Sequence, residues 1–130
     1  MNIINLTPHT INIYQVTDLV EIGKPGSNQW ALPDGDAPQP IRVIPSEVIP
    51  ATAPRVETRH QPAGELDGVP CWRAEFGQPY NLPDAQPGTI YIVSALVASA
   101  APDRKDLATV LGGVKDATGR ICGCVGLAVR

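Results

Sequence analysis

The first side chain that could take part in chemistry is His9, which follows Thr7-Pro8 between two strand-like runs. A turn that only connected strands would normally use Gly, Asn or Asp. An imidazole titrates near neutral pH and could contact a ligand, or its ring could simply satisfy nearby backbone groups. The tripeptide therefore predicts either a plain turn or a turn that brings His9 to a site.

A second candidate position is the change from strand to helix at Ser94. The β-branched run 89–93 gives way there to small residues, and Ser94 suits a helix N-cap. No G-x-S-x-G elbow surrounds it, so it is not predicted to be a nucleophile. Backbone N–H groups at a helix start can bind an anion. Tyr91 shares a strand face with Val93 and is expected in the core, with its hydroxyl at the edge.

The guanidinium groups of arginines could bind phosphate or carboxylate, although each could equally be a solvated surface side chain. Asp106 could pair with Arg104 or cap the segment that follows, and Asp116 is expected in a hairpin turn.

Our central hypothesis is that the Thr7-Pro8 turn places His9 in one cleft with Tyr91, Ser94 and Arg104. The full set of predicted ligand-binding residues is His9, Arg59, Arg73, Tyr91, Ser94, Arg104 and Asp106. No catalytic residue and no cofactor is predicted.

Composition restricts the partners. The chain has 130 residues and a formal charge of −3, which argues against nucleic acid as the main partner. No apolar run is long enough to span a membrane and no signal peptide is recognised, so a cytoplasmic location is expected. Three cysteines cannot form a closed disulfide framework. Cys122 and Cys124 share a strand face, but no spacing supplies further metal ligands, so no metal site is predicted.

The elements that must position these residues are mostly strands. Strand patterns cover 2–6, 10–16, 41–45, 55–60, 69–76 and 89–93, a helix is predicted at 94–101, and a hairpin closes the chain at 114–129. Residues 23–40 are predicted to be a surface loop insertion and 61–68 a turn. We predict a single α+β domain over residues 1–130, with a mixed, mainly antiparallel sheet and the helix packed on one face. The residues expected to be mostly buried are Trp30, Trp72, Phe76, Ile90, Ile92, Leu96, Val97, Ile121 and Val125.

Several motifs together resemble one family of small proteins encoded by tailed phages, prophages and many bacteria. They are NLTPH near the start, FGQPYNLP, GTIYIVSALVASAAPDRKDL and VKDATGRICGC. The resemblance covers almost the whole chain, but this sequence departs from the family pattern at the loop 23–40, at Ser46-Glu47 and at 108–111. The resemblance implies a phage or prophage setting, which would make the host cytoplasm the location. It does not imply a reaction.

Three functions follow as hypotheses. The first is binding of a small anionic, nucleotide-like molecule, which could sequester a host signalling nucleotide and so counter a defence. The second is hydrolysis of a phosphorylated or nucleotide substrate, with His9 acting together with Ser94, Asp106 or Tyr91. The third is a structural or assembly role in a virion. Whether the protein is an enzyme is left open, with binding preferred, and a homo-oligomer is left open as well.

Overall fold

The computed structural model describes residues 1–35 and 37–130 and consists mainly of β-strands. A single α-helix, α1 (Ala95–Ala100), lies among the described residues, and it follows the eighth strand. In chain order the strands are β1 (Asn2–Asn5), β2 (Ile11–Ile13), β3 (Val20–Glu21), β4 (Trp30–Ala31), β5 (Arg42–Ile44), β6 (Arg55–Leu66), β7 (Val69–Tyr80), β8 (Thr89–Ile92), β9 (Leu107–Lys115) and β10 (Ile121–Val129).

Eight of these strands form one mixed sheet, in the order β1-β8-β9-β10-β2-β5, with the short β3–β4 pair joined to the end of β9. The pairings β1–β8, β8–β9 and β10–β2 are parallel, whereas β9–β10 and β2–β5 are antiparallel. Beyond β5, Ser46 forms a parallel bridge with Asn5, and the Glu47 N–H donates to the Asn5 carbonyl at 2.9 Å. The two ends of the sheet therefore meet, and the sheet is a nearly closed barrel.

Apolar side chains are buried on both sides of the curved sheet. Ile11, Ile44, Ile92 and Cys124 come from four different strands and pack together as an inner cluster. Ile92 belongs to this cluster while its neighbours belong to another, because adjacent residues of a strand point to opposite faces. The other, outer cluster consists of Leu6, Val56, Tyr91, Val93, Val97, Ala98 and Leu107, and it joins β8 and β9 to α1 and to the start of β6.

Both ends of α1 are capped by side chains. The Ser94 Oγ accepts a hydrogen bond from the Val97 N–H at 3.3 Å, which confirms the predicted N-cap. At the other end, the Arg130 guanidinium donates to the carbonyls of Ala98 and Ala101. These carbonyls lie in the last turn, where helical partners run out. The helix is thereby fixed against the last strand of the barrel.

Strands β6 and β7 form a separate two-stranded antiparallel ribbon, which we call the arm. Its turn is Asp67-Gly68, and both residues have positive φ (48° and 79°), as a two-residue hairpin turn requires. The predicted turn at 61–68 is confirmed only for Asp67-Gly68, because β6 continues to Leu66. Pro62 is tolerated at a free strand edge, and a register shift between Pro62 and Glu65 absorbs the extra length.

The predicted mixed sheet with a single short helix is confirmed, but the arrangement differs. We predicted a helix packed on one face of the sheet, whereas the sheet curls into a nearly closed barrel. The physical reason is the bridge from Ser46, just after β5, to Asn5 of β1, which depends on a long-range contact and leaves no local sequence pattern. The predicted loop 23–40 contains the short strand β4, and Asp36 of that loop lies outside the described residues.

The predicted burial was correct for Ile92 and Val97 and wrong for four large side chains. Trp72 and Phe76 lie on the arm and are about 60% exposed (62% and 57%). Leu96 and Ile121 are also exposed, while Trp30, Ile90 and Val125 are half-buried. In the described part of the chain, no helix has the length and apolar character needed to cross a membrane.

Candidate functional site

The best-defined concave site is a cleft of about 490 Å³ where the arm leaves the barrel. We call it the arm-base cleft. Its walls come from the turn after β1, the start of β6, the end of β7 and the junction between β8 and α1. The lining residues are 6–8, 53–58, Tyr80, Val93, Ser94, Leu96 and Val97. The cleft therefore gathers three distant parts of the chain around the Thr-Pro turn.

The Thr7-Pro8 turn is held from below by Asn5, which is completely buried. Its Nδ2 donates to the carbonyls of His9 (2.8 Å) and Ile44 (3.1 Å). Its Oδ1 accepts from the backbone N–H of Thr7 (2.9 Å) and from the Thr7 hydroxyl (2.6 Å). The amide makes four hydrogen bonds, of which three hold the turn and the fourth joins it to β5. The sequence analysis missed this residue, although it stands in the NLTPH motif.

Ser46 fixes the same turn from the other side. Its hydroxyl contacts the carbonyls of Thr7 (2.6 Å) and Val48 (2.9 Å). The segment after β5 is thus held against the turn after β1, beside the bridge that nearly closes the barrel.

Polar groups in the arm-base cleft retain capacity for a ligand. The Ser94 Oγ accepts from the helix backbone, which leaves its O–H free to donate. Arg55 donates to the Pro50 carbonyl at 3.1 Å, and this bond uses one of its five N–H donors. Tyr80 adds a phenol to the lining, whereas the carboxylate of Glu57 lies against Gly77 on the other face of the arm. A cation and hydroxyl groups therefore line one space together with apolar side chains.

The predicted ligand-binding residues do not converge. Ser94 lines the arm-base cleft, but the chain reverses at Thr7-Pro8, so that exposed His9 lies in another cleft. This second cleft, of about 390 Å³, is lined by Thr7, residues 9–12, Val110 and residues 121–124, and we call it the β2–β10 cleft. The hypothesis of one cleft shared by His9, Ser94 and Arg104 is therefore corrected. Thr7 and Pro8, and not His9, are what the turn presents to Ser94.

Tyr91 and Arg104 line neither the arm-base cleft nor the β2–β10 cleft. Tyr91 is buried in the outer cluster, and its hydroxyl reaches the Asp84 carbonyl at 3.4 Å. Arg104 and Asp106 line a shallow cleft of about 470 Å³ near Met1 and Gly88. Arg59 and Arg73 are exposed on the arm and do not line the arm-base cleft. Of the seven predicted residues, only Ser94 contributes to that cleft.

Arg104 and Asp106 form a bidentate ion pair. The Nε and one terminal nitrogen of Arg104 each donate to a different carboxylate oxygen at 2.8 Å. The same guanidinium donates to the Pro83 carbonyl at 2.8 Å. These bonds lower the pKa of Asp106 and raise the pKa of Arg104. Arg104 therefore ties the segment before β8 to the start of β9, which is a structural role.

The ion pair predicts a stability change in acid. Because the folded pKa of Asp106 is depressed, its contribution is present above its unfolded pKa of about 3.9 and is lost as pH falls through the folded pKa. Both side chains are partly exposed (24% and 15%), so we expect Asp106→Asn to remove about 1 kcal/mol of unfolding free energy at pH 7. The difference from wild type should shrink below about pH 4, as measured by urea unfolding at several pH values.

The control for this prediction is Asp103→Asn, which changes an exposed carboxylate three residues earlier. It should leave stability at pH 7 unchanged. Asp116 also has a lowered pKa, chiefly because its carboxylate accepts a hydrogen bond from the Thr118 hydroxyl. Wild type and both variants keep this carboxylate, so all three should lose some stability in acid. Equal stabilities of Asp106→Asn and wild type at pH 7 would contradict the prediction.

Comparison with known proteins adds no relative. No protein-family model, no curated protein and no solved structure matches this chain. The function has to be inferred from the clefts and surfaces described above.

Proposed function

We propose that this protein binds a small anionic, nucleotide-like ligand in the arm-base cleft. The observation that carries the proposal is the composition of that cleft, in which Arg55, Tyr80 and Ser94 line one space of about 490 Å³. Ligand pockets generally have volumes of about 300–1,000 Å³ and a few placed polar groups. The arm-base cleft has both properties, and its lining is about as polar as it is apolar.

The chemistry of the walls favours a ligand with a flat ring and a charged group. Pro8, Pro54 and Leu96 provide apolar surface, and Tyr80 provides an aromatic ring. The guanidinium of Arg55 is suited to a phosphate or carboxylate. The free O–H of Ser94 can donate a hydrogen bond to a sugar hydroxyl or to a phosphate oxygen. A nucleotide carries each of these complements.

Binding is a better proposal than hydrolysis for this cleft. Activating a serine requires an adjacent general base, and His9, the hypothesised partner of Ser94, lies in the β2–β10 cleft instead. The hydroxyl of Ser94 already caps α1. The resemblance to phage-encoded proteins makes signalling nucleotides of a bacterial host the first ligands to test. Sequestration of such a nucleotide is the role that we propose.

The proposal is tested by thermal-shift screening of cyclic and linear nucleotides, followed by calorimetric titration. A ligand present at one hundred times its dissociation constant should add about 2.7 kcal/mol to the unfolding free energy. Arg55→Ala should weaken binding of that nucleotide by about 1–3 kcal/mol, the usual effect of losing a charge-assisted hydrogen bond. The matched nucleoside without phosphate should bind wild type and Arg55→Ala equally.

Arg120→Ala is the control, since Arg120 is exposed in the β9–β10 turn and does not line the cleft. It should bind the nucleotide as wild type does. Equal affinity of Arg55→Ala and wild type would overturn the proposed site. The bound molecule, released by heating, should be recovered unchanged, and recovery of a hydrolysed product would favour the enzyme hypothesis.

A further inference from the structure

The arm-base cleft contains a single cation. Among the described residues that line it, Arg55 is the only lysine or arginine. Glu57 follows Arg55 by two residues in β6. Glu47 is exposed in the segment between β5 and β6, which is hydrogen-bonded to the turn after β1. Once a ligand with one negative charge has paired with Arg55, the charged groups that remain around the cleft are therefore acidic.

We propose that the anionic group recognised in this cleft is one phosphate with a single negative charge, as in a cyclic mononucleotide or another phosphodiester. This specifies which nucleotides the arm-base cleft takes, and it holds only if the proposed function is correct. Phosphomonoesters carry a charge of about −1.5 to −2 at pH 7, and polyphosphates carry more. Both classes of nucleotide should be disfavoured.

The guanidinium of Arg55 is positioned for one phosphate. Arg55 pairs with Tyr80 across the base of the arm, so both side chains emerge on the same side of the ribbon. One terminal nitrogen of Arg55 donates to the Pro50 carbonyl at 3.1 Å, which orients the group and leaves its remaining N–H donors for a ligand. Two parallel N–H groups of a guanidinium match the two non-bridging oxygens of a phosphodiester. In the part of the chain that the structure describes, no second guanidinium lines the cleft for a further phosphate.

The floor of the arm-base cleft makes additional charge costly. It consists of buried members of the outer cluster, namely Leu6, Val56, Val93 and Val97. A charged group above this floor loses water on one side, and the cost of removing charge from water rises with the square of the charge. The attraction to one guanidinium rises only in proportion to the charge. A single cation therefore offsets the desolvation of a monoanion better than that of a dianion.

Two hydroxyl groups of the cleft suit the uncharged part of a nucleotide. The Thr7 hydroxyl donates to the Asn5 amide oxygen at 2.6 Å. The Thr58 hydroxyl donates to the Val56 carbonyl at 3.1 Å. Because both protons are used within the protein, these oxygens can only accept hydrogen bonds from a ligand. They would repel the oxygens of a second phosphate, but they can accept from sugar hydroxyls or from a base amino group.

The proposal is tested by calorimetric titration of wild type with matched nucleotides at about 10 mM salt, where charges interact over about 30 Å. For adenosine, guanosine, cytidine and uridine, the series is the 5′-monophosphate, its methyl ester, the 3′,5′-cyclic monophosphate and the 5′-triphosphate. The methyl ester keeps the base, the sugar and the phosphorus of the 5′-monophosphate but carries only one charge. It and the cyclic monophosphate should bind about tenfold more tightly than the 5′-monophosphate, a difference of about 1.4 kcal/mol. The triphosphate should bind no more tightly than the 5′-monophosphate.

Leu96→Arg should change this preference. Leu96 is 44% exposed on α1 and lines the cleft, so a second guanidinium can be added there without disturbing the core. The 5′-monophosphate should then bind at least as tightly as its methyl ester. Leu96→Gln is the matched control, because it introduces a polar side chain without a charge, and it should keep the wild-type preference. Circular dichroism should show both variants folded.

Two kinds of failure can be told apart. If the 5′-monophosphate or the triphosphate binds wild type as tightly as the methyl ester, and Arg55→Ala weakens that binding, the cleft is a nucleotide site and the single-charge preference is overturned. An unchanged preference in Leu96→Arg would overturn it as well. If no member of the series binds wild type, or if Arg55→Ala binds every member as wild type does, the proposed function fails and the preference fails with it.

Discussion

Asn5→Ala should lower the free energy of unfolding by about 3–4 kcal/mol. The amide of Asn5 is fully buried and makes four hydrogen bonds, to the carbonyls of His9 and Ile44 and to two groups of Thr7. Removing it leaves backbone groups without partners, and each buried group that loses its partner costs about 1–3 kcal/mol. The loss is measured by urea unfolding monitored by circular dichroism.

Asn12→Ala is the matched control for Asn5→Ala. Asn12 is half-buried, and its amide donates once, to the Cys122 carbonyl at 3.1 Å. Its replacement should cost about 1 kcal/mol. Asn5→Asp should be nearly as damaging as Asn5→Ala, because a carboxylate cannot donate to the two carbonyls. A wild-type melting temperature for Asn5→Asp would show that the turn does not depend on this amide.

The second large effect is expected at Gly123, where β10 passes β2. A Cβ at this position would lie 2.5 Å from the Asn12 carbonyl oxygen and 2.6 Å from the ring of Tyr14. The Asn12 carbonyl is backbone inside the inter-strand contact and cannot move without shifting β2. Overpacking of this kind typically costs 1–3 kcal/mol, so we expect Gly123→Ala to lose about 3 kcal/mol of stability in urea unfolding.

Gly126→Ala separates this steric effect from the general effect of adding a methyl group to β10. A Cβ at Gly126 has no heavy atom within 4 Å. Because glycine weakens a strand through its backbone entropy, Gly126→Ala should leave stability unchanged or raise it by up to about 1 kcal/mol. Similar stabilities for the two variants would mean that β2 and β10 are not packed as described.

Local features of this structure could be predicted from the sequence because short-range interactions produce them. Ser94 caps α1 as expected, and the Asp116 carboxylate accepts from the Thr118 and Arg120 backbone N–H groups in the predicted turn. Ile92 is buried as its strand pattern indicated. Each of these depends on residues within a few positions of one another, where sequence and conformation are directly linked.

Features that depend on distant pairing could not be predicted. The parallel pairing of β1 with β8 brings Thr7 to Ser94, and the pairing of β2 with β10 takes His9 to the other side. No local sequence pattern predicts the pairing of β1 with β8 or of β2 with β10. Trp72 and Phe76 were expected to be buried because they lie in a strand pattern, but a free ribbon gives the same pattern. Period two identifies a strand and one apolar face, but it does not say what covers that face.

The nearly closed barrel also determines when the protein can fold. Its N-terminal strands find their partners about 85 and 110 residues later, since Asn2 pairs with Thr89 and Ile13 with Cys124. The arm, by contrast, pairs within residues 55–80 and can form as soon as they have been synthesised. On the ribosome, β1 therefore has no strand partner until β8 is made, and β2 can pair only with β5 until β10 is made. Such long-range pairing makes folding slow and prolongs exposure to aggregation, which is the kinetic consequence of placing late strands of the sequence between early ones in the sheet.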